Sequence, residues 1–258
     1  MGHAQQTQNA PPSPPNISVD VKLVLIPATV RDKHGKNVPN LNKDDFVLHV
    51  DGHLRAISNV IPESDLPLTL GLLVQTSFGP RQRYALGNES DASYGFLDYM
   101  LREDKDRAFV VGFGHKVELS QGLTSSRPTL HAALQLMQAT DVHSEKRGKR
   151  TLLYDAICLA SNQLKTQQGR KALFVLSDGT DRGSKETPAD AVEAAQRADV
   201  SVYPILVTDY WPVPKGKKVL KRISTETGGR MFQISHKLAV AQIYAEAEGE
   251  LRNQYVLG

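Results

Sequence analysis

Apolar and polar residues alternate along the first quarter of the chain. From residue 17, an apolar residue occupies every second position up to Leu23, which is the period of a β-strand with one buried face. Two more apolar runs, at 46–50 and 56–61, flank Asp51-Gly52, a pair typical of a two-residue hairpin turn. The pattern predicts a small β-sandwich-like unit over residues 17–66, in which residues 46–50 pair with residues 56–61.

The segment before this unit has a different composition. Residues 1–16 are polar and include three glutamines and four prolines, so they cannot bury enough apolar surface to order themselves. The first residues do not show the basic and apolar regions of a signal peptide. We therefore predict that residues 1–16 form a disordered Pro/Gln-rich tail.

From about residue 67 the pattern changes to buried strands that alternate with helices. Residues 68–74 contain no charge, as expected for a strand in the middle of a parallel sheet. Similar apolar runs recur along the chain, and segments with helical periodicity separate them. The pattern predicts an α/β domain over residues 67–258, with a doubly wound, mostly parallel central sheet and helices on both faces. The predicted later strands are 108–113, 116–119 (a short edge strand), 172–176, 200–207, 230–234 and 255–257. The predicted helices are 94–101, 129–139, 151–164, 188–197, 219–227 and 238–253.

Polar loops follow the buried strands, at the edge of the sheet where α/β proteins bind ligands. The loop after the first of these strands reads Gln75-Thr76-Ser77-Phe78-Gly79. A second signature, Arg150-Thr151-Leu152-Leu153, opens a predicted helix, and a third, Ser177-Asp178-Gly179-Thr180-Asp181, follows a predicted strand. We expect the three loops to meet on one rim of the domain.

The order and surroundings of these loops resemble a von Willebrand factor type A domain. With the region around Asp51-Gly52 and the ending Gln254-Tyr255-Val256-Leu257-Gly258, the chain is similar to an acidobacterial variety of that family from about residue 17 onward. The resemblance implies a Rossmann-like α/β fold and a non-enzymatic module for protein interaction or adhesion. It also implies a bacterial protein that is exported to the periplasm or the cell exterior.

The family carries a metal-ion-dependent adhesion site whose oxygen ligands come from three loops. Its first loop reads Asp-x-Ser-x-Ser, its second provides a Thr and its third an Asp. In this sequence the five positions fall on Gln75, Ser77, Gly79, Thr151 and Asp178. The resemblance therefore implies Ser77, Thr151 and Asp178 as metal ligands.

Two of the five positions depart from the pattern, because Gln75 is neutral and Gly79 has no side-chain oxygen. Mg²⁺ prefers a set of hard oxygens that includes carboxylates, so we predict a degenerate site with weakened or lost metal dependence. The expected cofactor is none, or Mg²⁺. Asp181 is a candidate replacement carboxylate.

Each remaining residue of the site also has a structural interpretation. Thr151 is suited to cap the helix that follows it, and Asp178 before Gly179 is suited to shape a tight turn. Ser77 is suited to cap the helix after the first loop. Both interpretations stay open for each residue at this point.

Basic residues are frequent in the same three loops, and Lys215, Lys217 and Lys218 follow the predicted strand that ends at Val207. In this topology all of them should lie on one face, and from them we predict a partner-binding rim. An acidic protein would bind such a rim through charge-assisted hydrogen bonds; the alternative is that these are ordinary solvated loop charges. The rim consists of Ser77, Arg81, Lys146, Arg147, Lys149, Arg150 and Arg182.

Composition and motifs argue against several classes of function. A net charge of +3 over 258 residues does not indicate a nucleic-acid partner, and no apolar run is long enough for a transmembrane helix. The sequence contains none of the common hydrolase, zinc-protease or phosphate-loop motifs, and Cys158 fits a packed core thiol. We therefore predict a non-enzymatic module; the alternative is a small-molecule binder or hydrolase that uses Ser77 and Asp178 in the same crevice.

Overall fold

The structure is a computed structural model, and it describes residues 24, 26–33, 37–62, 66–77, 95, 97–141, 150–207, 214–234 and 240–258. The strands are β1 Ile26–Ala28, β2 Leu48–Val50, β3 His53–Arg55, β4 Val60–Pro62, β5 Leu68–Gln75, β6 Arg107–Phe113, β7 Val117–Thr124, β8 Arg170–Ser177, β9 Ser201–Leu206, β10 Phe232–Gln233 and β11 Tyr255–Leu257. The helices are α1 Arg127–Asp141, α2 Leu153–Leu164, α3 Pro188–Arg197, α4 Pro214–Glu226 and α5 Val240–Arg252.

A six-stranded sheet forms the centre of the molecule. Its strand order is β10-β9-β8-β5-β6-β7, and every neighbouring pair is parallel except β6 and β7. The uncharged run at 68–74 becomes β5, which lies between β6 and β8 and is buried at seven of its eight positions. The predicted α/β architecture is confirmed, with β7 as an antiparallel edge strand.

Helices cover both faces of this sheet. The core on one face joins Leu70 and Leu72 of β5 to α1 and α5, and the core on the other joins Leu73 to α2, α3 and α4. Position 71 of β5 has no room for a side chain, since a Cβ there would lie 2.4 Å from the Leu173 side chain and 2.5 Å from the Phe109 ring. The alternation of side chains along one strand thus supplies both cores.

Helix α4 begins five residues earlier than the sequence pattern predicted. Its first turn is rich in lysine, and Gly216 is the only buried residue before Leu220. Without an apolar side chain in that turn there was no periodic signal to detect. The helix begins earlier because Gly216 packs directly against the backbone of Asp178, 2.2 Å from the position its Cβ would take.

A second sheet has three antiparallel strands in the order β1-β11-β4. The last strand of the chain therefore lies between two strands from its first quarter, with Leu257 opposite both Ile26 and Val60. Pro27 lies in β1, an edge strand, where a missing N–H is tolerated. Division of the chain at residue 66 stays a prediction, and the tail at 1–16 and the alternating run up to Leu23 lie outside the described residues.

The hairpin was predicted at the right turn but with the wrong partner strand. Asp51 and Gly52 have φ values of 51° and 78°, as a two-residue type I′ turn requires. That turn pairs Val50 with His53 and Leu48 with Arg55, so residues 56–59 lie beyond the hairpin. Val60–Pro62 pairs instead with β11.

A buried carboxylate lies at the amino end of the central strands and accepts hydrogen bonds from the backbone there. Asp106 is fully buried and accepts hydrogen bonds from the backbone N–H of Leu68 at 2.9 Å and of Arg102 at 2.8 Å. The Arg252 guanidinium at the end of α5 lies 2.5 Å from the same carboxylate. Burial acts to raise the pKa of Asp106, but Arg252 and the other hydrogen bonds lower the pKa below its usual value.

We expect Asp106→Ala to lower the free energy of unfolding by about 3–5 kcal/mol, because it removes the buried carboxylate that pairs with Arg252 and accepts the N–H groups of Leu68 and Arg102. Urea unfolding at pH 7 measures this, with exposed Asp104→Ala as the matched control. Because the pKa of Asp106 is lowered in the folded state, its contribution is present above the unfolded-state pKa and is lost as the pH falls below about 4. Equal losses in the two variants, or a gap that does not narrow in acid, would contradict this assignment.

Candidate functional site

The carboxyl ends of β5 and β8 meet in a hydrogen-bond network centred on Gln75. Its side-chain Oε1 accepts from Ser177 Oγ at 2.7 Å and from the backbone N–H of Asp178 at 3.2 Å. Gln75 is 2% exposed and Ser177 is fully buried. Parallel pairing of Val74 with Leu176 brings the two loops together. Gln75 thus joins the first and third loops with a neutral amide.

Two hydroxyl groups extend this network to the second loop. Ser77 Oγ lies 2.9 Å from Thr151 Oγ1, and the Gln75 amide donates to Ser77 Oγ at 3.4 Å. Thr151 is buried and Ser77 is exposed. Three of the residues predicted from the family pattern, Ser77, Thr151 and Asp178, therefore do lie together around Gln75.

The turn interpretation of Asp178 agrees with its contacts. Its Oδ1 accepts from the backbone N–H of Thr180 at 2.8 Å and from Thr180 Oγ1 at 2.7 Å, the pattern of an Asx turn. Gly179 follows with a φ of 76°. A Cβ at Gly179 would lie 2.4 Å from the carbonyl oxygen of Gly216, so the turn contacts the start of α4.

The cap interpretation of Thr151 was wrong. Helix α2 begins after Leu152, which provides no side-chain cap, and Thr151 hydrogen-bonds to Ser77. The cap is Asp181, whose Oδ2 accepts from the backbone N–H groups of Leu153 at 2.9 Å and Tyr154 at 3.3 Å. A carboxylate at the start of a helix is also favoured by the helix dipole.

The sequence reasoning missed Asp155 and considered Asp181 only as a replacement metal ligand, although both carboxylates hold the segment around the third loop in place. Asp155 Oδ1 accepts from the backbone N–H groups of Lys185 at 2.8 Å and Glu186 at 2.9 Å. The signal that could have found Asp181 is the uncapped Leu152-Leu153 at the start of a strongly amphipathic helix. Such a helix start needs an acceptor from elsewhere in the chain.

Two arginines of the predicted rim lie beside this network. Thr151 and Arg182 form an antiparallel bridge, with Arg182 N–H donating to the Thr151 carbonyl at 2.8 Å. Arg150 Nη2 donates to the carbonyl of Gly183 at 3.2 Å, and both arginine side chains are exposed. We call the surface formed by Ser77, Arg150, Thr151, Asp178 and Arg182 the top face. The other rim residues, Arg81, Lys146, Arg147 and Lys149, lie outside the described residues, as does Gly79.

No protein-family profile and no curated protein sequence matches the chain, but solved structures do. A serine-substituted variant of an aerotolerance-related membrane protein from Bacteroides fragilis is 15% identical, with 72% of this chain and 98% of that chain covered and a TM-score of 0.52. A von Willebrand factor type A structure from Catenulispora acidiphila is 16% identical over 75% of this chain and 44% of that chain, with a TM-score of 0.55. The von Willebrand factor domain of the type V pili tip protein Mfa5 from Porphyromonas gingivalis is 11% identical over 71% of this chain and 94% of that chain, with a TM-score of 0.52.

This chain has the von Willebrand factor type A fold. At these identities the likeness shows the fold alone, and the function has to be argued from the site. In the part of the chain that the structure describes, no helix is long and apolar enough to cross a membrane.

The metal site that the resemblance to von Willebrand factor type A domains implies does not fit the ligand atoms present here. Gln75 Oε1 already accepts two hydrogen bonds, and so does Asp178 Oδ1. The hydroxyl groups of Ser77 and Thr151 are hydrogen-bonded to each other. Asp181, the candidate replacement, caps α2 instead. One carboxylate with neutral partners is a poor set for Mg²⁺, which sheds its water reluctantly.

Cys158 is a half-buried residue of α2 that packs against the core on that face of the sheet. Burial, together with Glu186, Asp190 and Asp155, raises the pKa of its thiol to about 12. A reactive cysteine needs a lowered pKa, so this environment is that of an unreactive packed thiol.

We expect Gln75→Asp combined with Gly79→Ser to create a Mg²⁺ or Mn²⁺ site, because the pair restores a second carboxylate and a hydroxyl. Titration calorimetry with MnCl₂ measures this. The matched control, Gln75→Asn with Gly79→Ser, has the same shape without the charge. Binding by neither double variant, or by both equally, would contradict the alignment of Gln75 with the metal-binding Asp.

Proposed function

We propose that this von Willebrand factor type A domain is a non-enzymatic protein-interaction module that binds an acidic partner at the top face without a metal. The neutral network around Gln75 carries the proposal. It occupies the place where the family's metal bridge would form, and it satisfies the polar side chains there without a cation. Arg150 and Arg182, exposed beside it, would contact the partner's carboxylates directly.

The alternative, a hydrolase that uses Ser77, lacks support from the contacts of that residue. A nucleophilic serine needs a neighbouring base that accepts its proton. The Ser77 hydroxyl is bonded to Thr151 and to the amide of Gln75, and neither group accepts a proton at neutral pH. Among the described residues, two cavities of about 340 and 430 Å³ are lined by neither Ser77 nor Asp178.

We further propose that the domain acts outside the cytoplasm. Two structural neighbours are described as a membrane protein and as a pilus tip protein, which is compatible with an exported adhesion or interaction module. The proposed partner is a protein rather than a nucleic acid.

Photo-crosslinking tests the proposed surface. With p-benzoylphenylalanine at position 182, we expect a discrete adduct with a protein from the envelope or secreted fraction of the source cells, and the same yield in EDTA. The matched control places the crosslinker at exposed Lys165, just after α2 at the opposite end of that helix.

Competition separates a specific adduct from chance capture. Unlabelled wild-type domain should abolish the adduct, whereas the Arg150→Glu variant should compete poorly, because it reverses a charge on the top face. An adduct from position 165 alone, equal competition by both proteins, or loss of the adduct in EDTA would refute the proposal.

A further inference from the structure

The positive charge of the protein is concentrated on one helix. Helix α4 contains five basic residues and one acidic residue, a net charge of +4. The whole chain has a net charge of +3, so the rest of the chain sums to −1. The five basic residues are Lys215, Lys217, Lys218, Lys221 and Arg222.

These basic side chains occupy most of the solvent-exposed side of α4. The helix buries Gly216, Leu220, Ile223 and Ser224 against the sheet, and all five basic residues are exposed. The other exposed positions after Pro214 are Thr225 and Glu226. The outer face of an amphipathic helix carries polar and charged residues. Here nearly every charge on that face is positive.

Most of this charge has no acidic partner within the described part of the chain. Arg222 forms an ion pair with Glu226 at 2.7 Å, and Lys217 donates to the neutral amide oxygen of Gln233 at 2.9 Å. No ion pair found among the described residues involves Lys215, Lys218 or Lys221. Like charges at i and i+3 or i+4 repel, so an anionic partner would relieve a repulsion that the fold leaves in place.

The basic face is continuous with the top face. Gly216 in the first turn of α4 packs on the backbone of Asp178 and Gly179, since a Cβ at Gly216 would lie 2.2 Å from the Asp178 carbonyl oxygen. The first lysines of α4 therefore lie next to the Asp178 turn in space. A partner bound at the top face would therefore lie close to the basic residues of α4.

The surroundings of α4 favour a narrow acidic segment over an extended anionic surface. Helix α3 packs beside α4 and has a net charge of −1, because Arg197 pairs with Glu193 and leaves Asp190. A flat membrane or a long duplex would therefore meet no further positive charge on α3. The exposed positions of α4 carry no aromatic side chain for base stacking or for insertion into lipid. A peptide that follows the helix axis would contact the five basic residues between Lys215 and Arg222.

We propose that the exposed face of α4 is a docking surface for an acidic, Asp/Glu-rich segment of a protein partner. Lys215 to Arg222 spans about 10 Å along the helix axis, the length of three to four residues of an extended chain at roughly 3.3 Å each. The inference deepens the proposed function and rests on it, because the partner is the protein that binds the top face.

Fluorescence anisotropy with fluorescein-labelled octaglutamate tests the surface directly. We expect the wild-type domain to bind the peptide and to lose affinity as NaCl is raised from about 50 to about 300 mM. The triple variant Lys217→Glu, Lys218→Glu and Lys221→Glu should raise Kd at least about tenfold, since the close charge pairs are replaced by like charges. Glu and Lys have similar helix propensities, and circular dichroism checks that the variant is folded.

The matched control reverses three exposed lysines elsewhere, Lys33, Lys43 and Lys165, with the same change in net charge, and should change Kd less than about twofold. Equal losses in both triples, or no binding by the wild type, would overturn the inference. So would stronger binding of a single-stranded oligonucleotide or of phosphatidylglycerol vesicles that is lost in the α4 triple. If octaglutamate fails but the adduct from position 182 persists, only this inference is wrong; if the adduct fails and octaglutamate binds, the proposed function is wrong.

Discussion

Strand β5 is hydrogen-bonded along both edges, to β6 on one side and to β8 on the other, and the site depends on this pairing. A strand buried on both faces and paired on both edges has no freedom to shift its register. Its carboxyl end therefore presents Gln75 beside Ser177 in one arrangement. At its amino end, Asp106 accepts the N–H of Leu68, so the strand is held at both ends by buried side chains.

The neutral amide at position 75 has consequences for the chemistry of the top face. A buried carboxylate with only neutral neighbours would be costly unless a cation accompanied it. Gln75 avoids that cost, because its oxygen accepts two hydrogen bonds and its amide donates one to Ser77. The loops can thus be rigid without an ion, which leaves the exposed arginines and the lysines of α4 to provide the charge of the surface.

The small sheet and the central sheet are joined through the last residues of the chain. Tyr255 donates to the carbonyl of Val38 at 2.8 Å, accepts from the N–H of Leu41 at 3.0 Å, and packs edge-on to Phe46. Glu250 of α5 is buried between Arg31 at 2.5 Å and Arg230 at 3.0 Å. Burial raises the pKa of Glu250, and the two arginines offset part of that rise. The segment 31–46 and the C-terminal residues 250–255 therefore stabilise each other.

Most strands and helices of the α/β domain could be predicted from the sequence, because residues 68–74 form an uncharged run and α2 has an apolar stripe with the helical period. The first turn of α4 was an exception, since it has no apolar side chain. The sequence also determined the three loops, since each follows a strand or opens a helix, and it placed Ser77, Thr151 and Asp178 on one rim. Which acceptor each polar group takes could not be predicted, because it depends on contacts that form only in the folded chain. Asp181 rather than Thr151 caps α2, and β11 rather than the hairpin pairs with Val60–Pro62. These contacts join residues far apart in the chain, and local periodicity carries no information about them.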